Sequence, residues 1–250
     1  MKKLLMAIAV FSVVFISRDA SALLSVEGRY WFTGLSGTAN ISGSGIPGTG
    51  VDLVKDLGLQ SNTGFPEVRV GFNIGSNRIR YDFVPLKWGG TSTLSQTFNF
   101  NGQTFSASDR TSSELRANYH RLGFEHDFID AAGERLGAII EVKYFDMKAA
   151  VTDLTRGMEA SKTLALPIPS VGVTGRVALP FLFGVDGEVS GISLGSAAYV
   201  IDGEAGMDFK PIPYFSLTGG YRALVLHFDH NDSKANMTVK GPFAGLKAEF

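Results

Sequence analysis

From Leu24 onward, apolar and polar side chains alternate at every second position, the period of strands with two unlike faces. In LSVEGRYWFT (24–33), Leu24, Val26, Tyr30 and Phe32 share one face, and Ser25, Glu27, Arg29 and Trp31 the other. PEVRVGFNI (66–74) sets Val68, Val70, Phe72 and Ile74 against Glu67, Arg69, Gly71 and Asn73. RIRYDFVPLKW (78–88) and YVIDGEAGMDFK (199–210) repeat the pattern, with Arg78, Arg80 and Asp82, then Asp202, Glu204 and Asp208, on the polar face. Runs of this kind predict strands at 24–33, 65–74, 78–88, 113–129, 135–150, 168–178, 183–194, 199–210, 215–229 and 235–250. Alternation shifts between Tyr119 and Leu122 and again at Gly241-Pro242, where bulges are expected.

A soluble sandwich would show the same alternation, so the connections decide the class. Short turns fall at 75–77, 131–134, 179–182 and 211–213, while long irregular stretches occupy 34–63 and 89–112, with a medium one near 152–167. Short turns at one end and long loops at the other are the asymmetry of outer-membrane barrels. The expected fold is therefore all-β: a transmembrane antiparallel up-and-down β-barrel. Ten strands fit best, with eight as the alternative if the segments around 168–210 merge differently. No apolar run beyond the first residues is long enough for a spanning helix, and only helices and closed barrels satisfy every backbone hydrogen bond in lipid.

Residues 1–22 read as a cleaved secretory signal peptide, leaving 23–250 as the barrel domain. Lys2 and Lys3 are followed by an apolar core from Leu4 to Ile16 and by Ala20-Ser21-Ala22 at an A-x-A cleavage site. Without that leader, 23 − 3 = 20 basic and 24 − 1 = 23 acidic residues remain. This balance lacks the concentrated positive charge of a nucleic-acid surface, so no nucleic-acid partner is expected. The chain has no cysteine, which removes disulfides, thiolate metal sites and a lipidated thiol.

GYRALVLHF (220–228) and the closing GPFAGLKAEF (241–250), with the signal peptide and the turn–loop asymmetry, carry a resemblance. Residues 23–250 resemble small bacterial outer-membrane β-barrel proteins of the OmpA-like and opacity-porin type. The resemblance implies a cell outer-membrane location, contact with outer-membrane lipids, and a last strand read by the barrel-assembly machinery. Ala244, Leu246, Ala248 and Phe250 fit such an assembly signal.

The polar face is charged strand after strand, and it carries the candidate chemistry. Arg29, Glu67, Arg69, Arg80, Glu141, Arg176, Glu188, Glu204 and Arg222 are expected to point into the lumen, where opposite signs pair, because unpaired buried charge is costly. The leading expectation is a side-chain-filled barrel with a structural, adhesive or receptor-like role through loops 34–63 and 89–112, where an extracellular ligand would bind. A narrow hydrophilic channel for small solutes, lined by the same residues, is the alternative. A lipid- or peptide-cleaving enzyme at the rim, using His120 and His126 with Glu114, Glu125 and Asp127, is the third reading. No Ser–His arrangement has a definable partner, so no enzyme activity is expected. GSGIPG matches G-x-G-x-x-G by spelling but lacks the strand–crossover-helix context, so no cofactor is assigned. HFDHND (227–232) reads as a solvated loop tip rather than a metal site. VDLVKDLGL (51–59) is expected as a short helix over the barrel mouth or against the membrane interface.

Overall fold

The structure is a computed structural model that describes residues 23–40, 42, 48–131, 133–230 and 233–250. The expected leader at 1–22, most of the GSGIPG motif and the Asn231-Asp232 part of HFDHND lie outside the described residues. Ten long strands form the wall: β1 (Leu24–Asn40), β3 (Asn62–Ile74), β4 (Asn77–Thr93), β7 (Arg110–Ala131), β8 (Glu134–Asp153), β9 (Glu159–Ala178), β10 (Phe183–Ser193), β11 (Ala198–Ile212), β12 (Phe215–His230) and β13 (Ser233–Glu249). Three short strands lie in the loops: β2 (Val51–Asp52), which pairs with β1, and the hairpin β5 (Phe98–Phe100) with β6 (Gln103–Phe105).

Each wall strand pairs antiparallel with its neighbour in the chain, and β13 pairs with β1, so the sheet closes. Register partners can be followed once round from Leu24: Phe72, Ile79, Phe124, Ile140, Val171, Gly191, Ile201, Val225 and Thr238. The path returns to β1 at Ser36, twelve residues above its start. Twelve steps of about 3.3 Å against ten strands about 4.8 Å apart give a tilt of about 40°, as a closed barrel requires. An even offset also preserves the inward and outward parity across the seam.

The outward rows are apolar and bare. Val26, Val68, Phe124, Ile140, Val171 and Ile201 are all exposed, with Ile140 and Val171 at 66% and 65%. A belt of exposed Val, Ile, Leu and Phe running round a closed sheet is a lipid-facing surface, and the chain is a barrel of that type. Tyr81 and Tyr144 flank His120 near the belt's upper edge, the Tyr81 hydroxyl lying 2.8 Å from His120 Nδ1.

Several sequence expectations change. Neither predicted bulge exists: β7 alternates without a shift from Tyr119 to Asp127, and its irregularity falls between Asp127 and Ile129. β13 likewise keeps its register across Gly241-Pro242. The sequence pattern shifts there because apolar side chains occur on both faces of the upper barrel, while the register stays continuous. The long stretches are also shorter than expected: β1 runs to Asn40, β4 to Thr93, and β9 begins at Glu159 instead of 168. Residues 51–59 form no helix. A two-residue strand leads into turns held by Asp52, whose Oδ1 accepts the N–H groups of Val54 and Lys55 at 2.9 and 2.8 Å. Their position over the mouth is as expected. Val51, Leu53, Leu57 and Leu59 are buried there, and Leu59 bridges to Gly90, where a Cβ would collide with the Gly58 carbonyl.

Candidate functional site in the barrel lumen

The lumen has two storeys. The lower one, on the side of the short turns, is filled by charge. All nine predicted lumen residues point inward there. Arg29 donates to Glu67 at 2.6 Å and to Glu204 at 3.1 Å. Arg69 forks onto Glu204 at 2.8 and 3.0 Å and reaches Asp82 at 3.0 Å. Arg80 takes Glu188 at 2.5 and 3.0 Å, and Arg222 takes Glu67 at 2.7 Å and Asp202 at 2.7 and 3.0 Å. Arg176 pairs with Asp208, nearer the turn end. Several of these pairs join strands far apart round the ring: Arg80 on β4 meets Glu188 on β10, and Arg69 on β3 meets Glu204 on β11. They are struts across the lumen, not neighbours along the wall.

Sequence reasoning missed the centre of this network. Arg121 is buried and donates to Glu141 at 3.0 Å and Glu188 at 2.8 Å. Arg121 lies inside the segment where a bulge is expected, yet the inward run Arg121, Gly123, Glu125, Asp127 beside outward Leu122, Phe124 and Phe128 fixes its facing. Lys143 and Ser190, both fully buried, contact Glu141 as well. Bidentate Arg–carboxylate pairing is the form in which buried charge is best satisfied. Beneath the network, a polar recess of about 110 Å³ opens towards the turns.

The upper storey contradicts the expectation of a polar lumen throughout. Trp31, Val84, Leu86, Trp88, Phe145 and Val239 point inward and are almost fully buried. The storeys meet through cation–π contacts: the Arg222 guanidinium lies 5.0 Å from the Trp31 ring and 5.6 Å from Tyr119, and that of Arg29 lies 4.3 Å from Phe243. Tyr119 also donates its hydroxyl to Asp202 at 2.7 Å and stacks on Phe145 with centroids 4.3 Å apart. Above this layer lies an apolar cavity of about 480 Å³.

Two loop elements roof the cavity. One is the 51–59 segment; the other is the β5–β6 hairpin, with Phe98, Phe100 and Phe105 buried and Phe98 stacked on Phe105 at 5.2 Å. Thr49 and Asn99 hydrogen-bond to each other, joining the two roof pieces. Parts of both long stretches, 34–63 and 89–112, thus fold in over the mouth.

The rim residues of the hydrolase reading are dispersed. His120 and His126 face outward, His120 within the aromatic row and His126 on Asn77 at 2.9 Å. Glu125 points inward onto Arg78 at 2.7 Å, and Glu114 pairs outside with Arg116 at 2.7 Å. His227 stacks on Tyr199 with centroids 4.9 Å apart. Among the described residues, no three His, Cys, Asp or Glu side chains gather as metal ligands. In the closing strand Ala244 and Leu246 face outward while Gly245, Lys247 and Glu249 turn inward, as expected.

No protein-family model matches the chain. No curated protein matches it either. Among solved structures it is similar to neisserial surface protein A, at 13% identity over 93% of this chain and all of that one, with a TM-score of 0.39. It is also similar to the translocator domain of the autotransporter NalP from Neisseria meningitidis, at 10% identity over 98% and 95% of the two chains and a TM-score of 0.47. A third is Ail, the attachment invasion locus protein of Yersinia pestis, at 10% identity over 91% and 99% and a TM-score of 0.36. The three are outer-membrane β-barrel proteins, and the closed ladder of this chain establishes the same architecture on its own geometry.

Proposed function

We propose that the protein is a non-conducting outer-membrane barrel with a structural or receptor-like role at the cell surface. The observation that carries this reading is the set of struts Arg69–Glu204, Arg80–Glu188 and Arg222–Glu67, which tie well-separated strands together through the middle of the lumen. Charges so paired leave no continuous water path and do not swing aside cheaply, because parting them would strand buried ions. The apolar belt supports residence in a bilayer, with outer-membrane lipids as its surroundings. The seam strand bearing Leu246, Ala248 and Phe250 supports recognition by the barrel-assembly machinery. The surface over the mouth, built from the 51–59 segment and the β5–β6 hairpin, is then the part left to meet an extracellular partner.

The test is conductance. The mature protein inserted in planar bilayers is expected to carry no steady current at either low or high salt. Discrete steps that grow in proportion to salt concentration would replace this reading with the small-solute channel.

A further inference from the structure

β9 is paired on both edges only in its lower half. Its last partner on β10 is Gly191, opposite Val171; above that point, residues 159–170 pair with β8 alone. β10 is short and turns back at Ser193, so the wall has a gap between upper β9 and the β10–β11 hairpin. Pro167 and Pro169 sit at the foot of the gap. Proline fits a ladder only where its nitrogen faces away from the partner. Because β9 is continuously paired to β8, both ring nitrogens belong to the open edge and remove two donors from it. That edge is therefore poorly suited to accept another strand, but it needs less hydrogen bonding from its surroundings.

The gap opens on the apolar cavity. Ile168, Leu166 and Leu164 are in the inward row of β9, yet Leu164 is 40% exposed, because no strand covers that side. Pro167 is the register partner of Tyr144, at the upper edge of the lipid-facing belt, so the gap begins where acyl chains give way to head groups. Inside, the lining is apolar from Leu53 and Leu57 in the roof to Met147, Val200 and Leu226 in the wall. A cavity of about 480 Å³ lies within the range of small-ligand sites, roughly 300–1,000 Å³. One cation lines it: Lys162, one step above Leu164 in the same inward row, exposed and paired with no described carboxylate. The carboxylate at the same border, Glu114, is already taken by Lys87 and Arg116.

We propose that this cavity binds one single-chain anionic amphiphile of the fatty-acid class. Its hydrocarbon tail lies between the roof and the upper wall, and its carboxylate sits in the β9 gap on Lys162. The apolar lining selects the tail, since a polar solute would lose its hydration without replacement. The lone ammonium at the opening selects the sign of the head. The roof, tied down through the Asn101 side chain donating to the Ser161 carbonyl at 2.8 Å, keeps the tail from water.

The test uses the mature protein in nanodiscs and the fluorescent cis-parinaric acid, with its methyl ester and a parinaroyl phosphatidylcholine as separate arms. The free acid is expected to bind saturably at one site. Lys162→Gln, an exposed change that leaves folding intact, is expected to weaken the acid about ten-fold and leave the ester unchanged. Ala149→Trp, which fills the cavity, should abolish binding of both, with heat-dependent gel mobility confirming that this variant remains folded. Equal loss of acid and ester in Lys162→Gln would overturn the anionic head. Occupancy by the phospholipid arm in place of the acid would overturn the free acid as the source. Non-saturable partition, unchanged by Ala149→Trp in its folded form, would overturn the site itself.

Discussion

The two storeys of the lumen are built by opposite means from one alternating wall. Below, the inward side chains other than Ile139 and Phe243 are polar, glycine or charged, and order comes from directional pairs such as Arg222 with Glu67 and Asp202. Above, the inward side chains are Trp, Phe, Leu and Val, and order comes from contact and exclusion of water. Directional pairing spans the lumen, because each guanidinium reaches across to a carboxylate, and leaves only a small polar recess beneath. Packing leaves space where side chains are small, as at Ala149, Ala198 and Ala235, and there the cavity appears. A charge-filled floor and a hollow upper room follow from this difference in side-chain chemistry.

Perturbation should separate the two halves. The largest effect is expected for Arg222→Ala, which strands Glu67 and Asp202 in the interior; such a loss costs about 3–5 kcal/mol. Urea unfolding from lipid vesicles would register it, and Arg222→Met, which keeps the bulk but not the charge, should fail to restore stability. If Met rescued it, the lower storey would be held by packing like the upper one. Next comes Leu86→Ala in the apolar layer, expected to cost about 2–4 kcal/mol by leaving a cavity, with no sensitivity to salt. Removing the exposed Lys234–Asp229 pair by Lys234→Ala should cost under about 1 kcal/mol, and that small effect should vanish at high salt. A comparable cost for Lys234→Ala and Arg222→Ala would erase the distinction between interior struts and surface pairs.

Strand number, seam and lower lumen were legible in the sequence because period-two alternation fixes facing once one face is charged. Arg29, Glu67 and Glu204 could be placed from their neighbours alone. Arg121 was missed because inward Tyr119 next to outward His120 imitates a slip of register, although the alternation from Arg121 to Phe128 carries its facing. The same ambiguity hid the upper storey: where inward and outward residues are both apolar, alternation carries no sign. Residues 159–167 escaped as strand because their outward positions are Glu159, Ser161, Thr163, Ala165 and Pro167, the composition of a loop. The roof segment 51–59 spaced its leucines like a helix, and only the close approach of Gly58 to Gly90 shows that it folds as a turn.

The protein's two tryptophans, Trp31 and Trp88, both lie in the layer directly above the charged floor and are fully buried inside the wall. Tryptophan fluorescence in bilayers of brominated lipid therefore tests the two-storey lumen most directly, with Tyr30→Trp as a reference that adds an indole on the lipid face. The account predicts a native emission of apolar character, little affected by aqueous iodide and only weakly quenched by brominated acyl chains, against strong acyl-chain quenching of the added indole. Native tryptophans quenched by brominated lipid as strongly as that reference, or freely reached by iodide, would contradict it.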